Sequence, residues 1–183
     1  NVNVNDSGEQ IVLPKVSIAP SQPITRPAPP ALDPAVEQRR QQAAQRMRNM
    51  ADEIRRVLSP LTGSGQVNVT EGAFGVSVEI NASLLFAPGE AALGTNAVSA
   101  LQAVAQVLAP AEFPITVEGH TDNVPISTFR FPSNWELSAV RASTVARLFI
   151  DNGVAPARLT AAGYADQRPV ADNADEEGRG RNR

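Results

Sequence analysis

The chain has 183 residues, 42% of them hydrophobic, a formal net charge of −3 and no cysteine. This supports one respectable core plus a linker, and it excludes disulfide staples and thiolate metal sites. The mild acidity gives no reason to wrap nucleic acid or an anionic membrane, so charged recognition must be local. No apolar run approaches the roughly 20 residues that cross a bilayer. The chain opens on Asn1 rather than methionine, so it is read as a piece whose upstream segment would carry any targeting or membrane element.

In chain order, residues 1–34 read as a proline-rich tether. Pro14, Pro20, Pro23, Pro27, Pro29, Pro30 and Pro34 are interspersed with few large apolar residues. At about 3.1 Å per residue in polyproline geometry, the stretch from Glu9 to Pro34 would span on the order of 80 Å. Asp33 before Pro34 predicts a helix start, and Val36, Ala43, Met47, Met50, Ile54, Val57 and Leu58 give an amphipathic helix over 35–60, stopped by Pro60 and Gly63. Alternation at Val67 and Val69, then at Val76, Val78 and Ile80, predicts a hairpin turning at 71–75. Thr95 or Asn96 is the expected cap of a second helix with the stripe Ala97, Leu101, Val104, Ala105 and Leu108. Ile115 to Glu118 alternates as a strand. Ser133 and Glu136 have capping-box spacing and open a third helix, which closes at Gly153 before Pro156. Leu159 to Tyr164 supplies another strand. Helices interleaved with a hairpin predict an α+β, two-layer sandwich of helices on a mixed sheet.

One residue breaks the amphipathic pattern. On the third predicted helix, Leu137, Val140, Thr144, Val145 and Leu148 form an arc, and Arg141 falls inside it. A guanidinium cannot be discharged, so it snorkels or meets an anion. The strand ending in Glu118-Gly119-His120-Thr121-Asp122 offers one, since glycine lets the backbone turn sharply and leaves Asp122 in the loop beyond the sheet edge. Two readings stay open: Asp122 pairs with Arg141 or caps its own turn, or the two stand apart and clasp a zwitterion, Asp122 holding an ammonium and Arg141 a carboxylate.

The runs Val117-Glu118-Gly119-His120-Thr121-Asp122-Asn123-Val124-Pro125-Ile126 and Ser133-Asn134-Trp135-Glu136-Leu137-Ser138, followed by Arg141-Ala142, resemble the signature of OmpA-like peptidoglycan-binding domains. More narrowly they resemble flagellar stator subunits of the MotB, PomB and MotD group. Gly153-Val154, Arg158-Leu159, Gly163-Tyr164, Pro169-Val170, Glu177-Gly178-Arg179 and Asn182-Arg183 extend the match over 65–183.

The resemblance implies a non-catalytic domain that binds the diaminopimelate-containing stem peptide of peptidoglycan. Asp122 and Arg141 would be its gripping acid and base, Asn134, Leu137 and Thr121 would line the groove, and Arg179 and Arg183 would belong to a basic tail motif beside Asn182. It also implies the periplasmic part of a single-pass inner-membrane protein that anchors a stator, pairs as a homodimer and works with a MotA-type membrane subunit. Relatives of this kind run on past the terminal Asn-Arg into an apolar strand, so the sheet is expected to want an edge.

The alternatives are a general envelope anchor of the OmpA or Pal type and, less favoured, a cell-wall hydrolase using His120 with Asp122. Against the hydrolase, His120 is the only histidine, and no GxSxG, HExxH or phosphate loop accompanies it. No cofactor and no metal are expected.

Overall fold

The computed structural model describes residues 33–61, 66–72 and 75–183, so the proline-rich tether lies almost wholly outside the described residues. Helix α1, Pro34–Leu58, begins where the Asp33 carboxylate accepts the Ala35 N–H at 2.9 Å. Its two halves differ. No residue of 33–50 is buried, whereas Ala51, Ile54 and Leu58 enter the main core.

A short 3-10 turn at Ser59–Leu61 leads towards the hairpin β1, Val67–Gly72, and β2, Gly75–Ile80. These pair antiparallel from Val67 opposite Ile80 to Gly72 opposite Gly75. A one-turn helix α2, Ala82–Leu85, is capped by Asn81. Helix α3, Thr95–Leu108, follows a bridge between Phe86 and Leu93. Its cap is Gly94, not Thr95 or Asn96, and no side chain bonds the helix start. The Gly94 N–H is held by the Leu85 carbonyl at 2.9 Å, so the preceding turn sets where the helix begins and the predicted caps become its first residues.

Strand β3, Ile115–Gly119, and strand β4, Leu159–Gly163, pair in parallel, which requires a crossover. Helix α4, Asn134–Asp151, supplies it. The paired glycines Gly119 and Gly163 end the ladder where α4 lies on it. A Cβ on Gly119 would stand 2.1 Å from the Ser138 carbonyl oxygen, and one on Gly163 would stand 2.5 Å from the Ala139 nitrogen. Only glycine permits that approach. Helix α5, Glu176–Asn182, closes the described chain; no periodicity had announced it.

The α+β fold class stands, with helices packed on strands. The mixed pairing is divided, however, between two separate two-stranded ladders, β1-β2 and β3-β4. The main core lies between α1, α3 and α4, around Ile54, Leu101, Val104, Val145 and Phe149. On α4 the buried arc is Leu137, Ser138, Arg141, Ala142, Val145, Ala146 and Phe149; Val140 is exposed and Thr144 is only partly covered. The packing face is rotated from the predicted one because the strands beneath α4 end in glycines, which admit the small residue Ser138.

Candidate functional site

Three backbone devices aim the loop after β3. The Thr121 N–H bonds the Ala165 carbonyl at 2.9 Å, and the Tyr164 N–H bonds the Gly119 carbonyl at 2.9 Å, which zips the two strand ends together. Ala165, at a left-handed φ of 49°, donates its N–H to Ser138 Oγ at 3.1 Å. Thr121 Oγ1 donates to the Asp122 carbonyl at 2.9 Å, and Asp122 Oδ1 accepts the Val124 N–H at 3.0 Å, an Asx turn. Asn134 Nδ2 then ties this loop to α4 by donating to the Val124 carbonyl at 3.0 Å and to the Asp122 carbonyl at 3.4 Å. The start of α4 is fixed by Ser133, whose Oγ accepts the Trp135 N–H at 3.1 Å and donates to the Glu136 carboxylate. That bond holds the Glu136 pKa below its usual value. The capping pair predicted from spacing is real, although it closes side chain to side chain.

Arg141 is 9% exposed and Asp122 is 8% exposed. The two do not form an ion pair. Arg141 Nε donates to the Glu90 carbonyl at 2.8 Å and Nη2 to the Ala87 carbonyl at 3.3 Å, with the guanidinium 4.9 Å from the centre of the Phe86 ring. Nη1 takes part in neither bond. Burial pushes the Arg141 pKa down, and the charge of Asp122 acts in the opposite direction. A desolvated cation thus feels an acid that it does not touch.

Asp122 Oδ2 is held by Arg183 Nε, and Arg183 Nη2 reaches the Glu176 carboxylate. Both bonds raise the Arg183 pKa, Asp122 contributing most. The predicted site residues therefore divide. Thr121, Asp122, Asn134, Arg141 and Arg183 converge on one loop mouth. Leu137 packs with Ala91 and Phe131 in a small apolar cluster. Arg179 is spent on Glu176 and on the Asn173 and Ala174 carbonyls.

Sequence reasoning missed the carbonyls of Ala87 and Glu90 and the ring of Phe86. A main-chain oxygen carries no residue-type signal, and Phe86 was assigned no role from sequence. Asn182, named only as part of the tail motif, is buried and bonded to the Val170 N–H, the Ala171 N–H and carbonyl, and the Asn173 side chain, which locks α5 onto the loop before it.

His120 makes none of these contacts. Its Nε2 lies 3.4 Å from Glu118, and its ring stacks on Tyr164 at 5.4 Å, with Arg168 over the other ring at 3.6 Å. No group of three or more metal-ligating side chains gathers among the described residues.

The sequence profile of the OmpA family matches residues 85–183. The chain belongs to the OmpA family. Within it, motility protein B of Bacillus subtilis is 30% identical over 141 residues, covering 75% of this chain and 53% of that protein. A MotB-like protein of Desulfovibrio vulgaris superposes with a TM-score of 0.67 at 31% identity, over 76% of this chain and 87% of that one. The cell wall anchor of the type VI secretion system of Pseudomonas aeruginosa gives 0.64 at 37% identity, over 71% and 91%. The chain spans about half the length of the curated relatives it matches. This is an OmpA-like domain of MotB type.

Proposed function

We propose that this OmpA-like domain binds peptidoglycan without cutting it and anchors a MotB-type stator to the cell wall. The observation that carries the reading is the unpaired arrangement of Asp122 and Arg141: both buried, electrostatically coupled, each oriented by other partners. A carboxylate has about four acceptor positions, and the described contacts take two of those on Asp122. Room remains for an ammonium. Arg141 Nη1 offers a donor to a carboxylate from a side chain that is already oriented, which lowers the ordering cost of binding. The amino-acid end of a diaminopimelate residue carries both charges, an ammonium for Asp122 and a carboxylate for Arg141.

Asn134 and Thr121 hold the loop in place, and Leu137 supports it from beneath. Arg183 screens Asp122 until a ligand ammonium shares the carboxylate. Arg179 contributes by holding Glu176, and so Arg183, rather than by touching the ligand. In the intact protein this domain lies in the periplasm, follows an inner-membrane helix, forms a homodimer and works with a MotA-type membrane subunit.

The test is co-sedimentation with purified diaminopimelate-containing sacculi. Asp122→Ala and Arg141→Ala should each weaken pelleting by the roughly 1.5–3 kcal/mol of a charge-assisted hydrogen bond. Pelleting of both variants at the wild-type level, with folding intact by circular dichroism, removes the site. Sacculi should not lose turbidity during the assay; clearing that disappears in His120→Ala would favour hydrolysis instead.

The likeness to the secretion-system anchor favours a second reading, an anchor for a different envelope machine. Co-purification of a MotA-type subunit with the intact protein separates the two.

A further inference from the structure

Asp122 and Arg141 sit on different elements and make no direct bond, so their supports set the gap between them. The guanidinium is held by the turn at 87–90. That turn is stiff for local reasons. Pro88 and Gly89 form its centre, Gly89 has a φ of 69°, and the Glu90 N–H donates to the Ala87 carbonyl at 3.0 Å. The acid is held at the start of the loop 123–132, where its carboxylate takes the Val124 N–H and Asn134 ties down the Val124 carbonyl.

The far part of the same loop grips the turn. Consecutive residues 89, 90 and 91 each meet it. A Cβ on Gly89 would stand 3.7 Å from Ile126 Cδ1, the Glu90 carboxylate accepts from Arg130 Nη1 at 2.9 Å, and Ala91 clusters with Phe131. These contacts are unequal in strength. The Arg130 and Glu90 side chains are 64% and 48% exposed, so water weakens their attraction, whereas Phe131 is buried and carries the anchoring. Between the two ends the loop is braced on itself, the Thr128 N–H donating to the Phe131 carbonyl at 2.9 Å and the Phe131 N–H to Thr128 Oγ1 at 3.0 Å. One braced segment thus joins the support of the acid to the support of the cation.

We propose that Ile126, Arg130 and Phe131 are positioning residues: they fix the gap between Asp122 and Arg141, and with it how strictly the clasp demands both charges on its guest. This rests on the wall-binding reading of that pair and adds what decides its selectivity. A stem-peptide end whose carboxylate is amidated satisfies Asp122 and leaves the desolvated Arg141 without an anion, so a fixed gap rejects it. A gap free to drift meets the two charges one at a time, and discrimination falls before affinity does.

The experiment is isothermal titration calorimetry of the whole chain with two soluble muropeptides, one ending in diaminopimelate and one in which the free carboxylate of that residue is amidated. The wild-type chain should prefer the first by about tenfold or more. Phe131→Leu should cut that ratio about fivefold, and Arg130→Gln about twofold, with Glu90→Gln adding nothing in the double variant. Exchanging the charges, Glu90→Arg with Arg130→Glu, should restore the ratio that either reversal alone lowers. A purely structural role would weaken both muropeptides together and leave the ratio unchanged.

A second arm needs no ligand. In Phe131→Leu, amide exchange followed by nuclear magnetic resonance should quicken about threefold or more at Glu90 and at Val124 together. Quickening at only one of them overturns the coupling of the supports. An unchanged ratio in Phe131→Leu and Arg130→Gln, while Asp122→Ala still weakens pelleting, overturns the positioning role and spares the wall site. Phe129, fully exposed on the same loop, is the control: a ratio lowered as far by Phe129→Ala overturns the proposal, because the loop would then be touching the guest itself. Wild-type pelleting by Asp122→Ala and Arg141→Ala overturns the wall-binding reading and the selectivity with it, and exchange still coupled at Glu90 and Val124 would mark that failure as the site's and not the loop's.

Discussion

Arg141 and Arg158 solve the same problem in two parts of the molecule with different consequences. Each sends its guanidinium to main-chain carbonyls and forms no ion pair among the described residues. Arg158 donates to the Phe113, Leu108 and Ala109 carbonyls at 2.9, 3.0 and 3.4 Å. Two of these lie at the C-terminus of α3, where unpaired carbonyls carry the negative end of the helix dipole. The cation there completes a helix end, and its charge is balanced where it sits. Arg141 bonds carbonyls of the turn at 87–90, which belongs to no helix end, and its balancing charge is Asp122, out of contact. The same bonding of a guanidinium to main-chain carbonyls makes a structural staple at one site and a receptive charge at the other; the position of the compensating negative charge decides which.

The comparison breaks most visibly in binding. Replacing Arg141 and Asp122 together should reduce sacculus affinity by at least about a hundredfold, while Arg158→Ala leaves pelleting unchanged. Stability should respond more at the other arginine. Arg158→Ala orphans three acceptors and should lower the unfolding free energy by about 1–3 kcal/mol in urea titrations. Equal stability losses for Arg141→Ala and Arg158→Ala, with no binding difference, would show that both are staples.

A smaller effect tests how Arg141 is held. Phe86→Leu removes the ring beneath the guanidinium and keeps the apolar volume roughly constant, so sacculus affinity should fall by about 0.5–1 kcal/mol. Affinity at the wild-type level would leave the two carbonyls as the whole orienting device.

The smallest effect concerns α5 and depends on pH. Arg183 first, and Arg179 with it, hold the Glu176 pKa below its ordinary 4.5. A depressed carboxylate stabilises the fold fully above the unfolded value and loses that contribution as pH falls through the folded one. The window therefore lies below 4.5. Exchange of the α5 amides should quicken there, and Glu176→Gln should flatten the profile. An unaltered profile would mean that Asn182, through its four bonds to the preceding loop, carries α5 alone.

The legible parts of the molecule are those whose signal is local. Asp33-Pro34 and Ser133 mark helix starts through side chains that satisfy N–H groups two residues on, and both do so. Arg141 stood out because 100° per residue places it on a buried face. The Gly94 start of α3 was illegible, since it depends on a hydrogen bond that the Gly94 N–H donates to the Leu85 carbonyl, nine residues back. The rotation of the α4 face was equally hidden, because paired glycines on two strands distant in sequence decide how closely that helix approaches. Arg183 could be named from its place in a motif, but its role as the partner of Asp122 depends on where α5 delivers it.

The order of the three long helices and four strands, the acid in its loop and the cation on a packing face are written in residue type and spacing, because propensity, capping and amphipathic periodicity act within a few residues. The division into two ladders, the separation of Asp122 from Arg141, and the choice of main-chain carbonyls over carboxylates were settled only by tertiary contact. Those outcomes depend on backbone atoms that every residue shares and on distances between segments far apart in the chain, which no local pattern encodes.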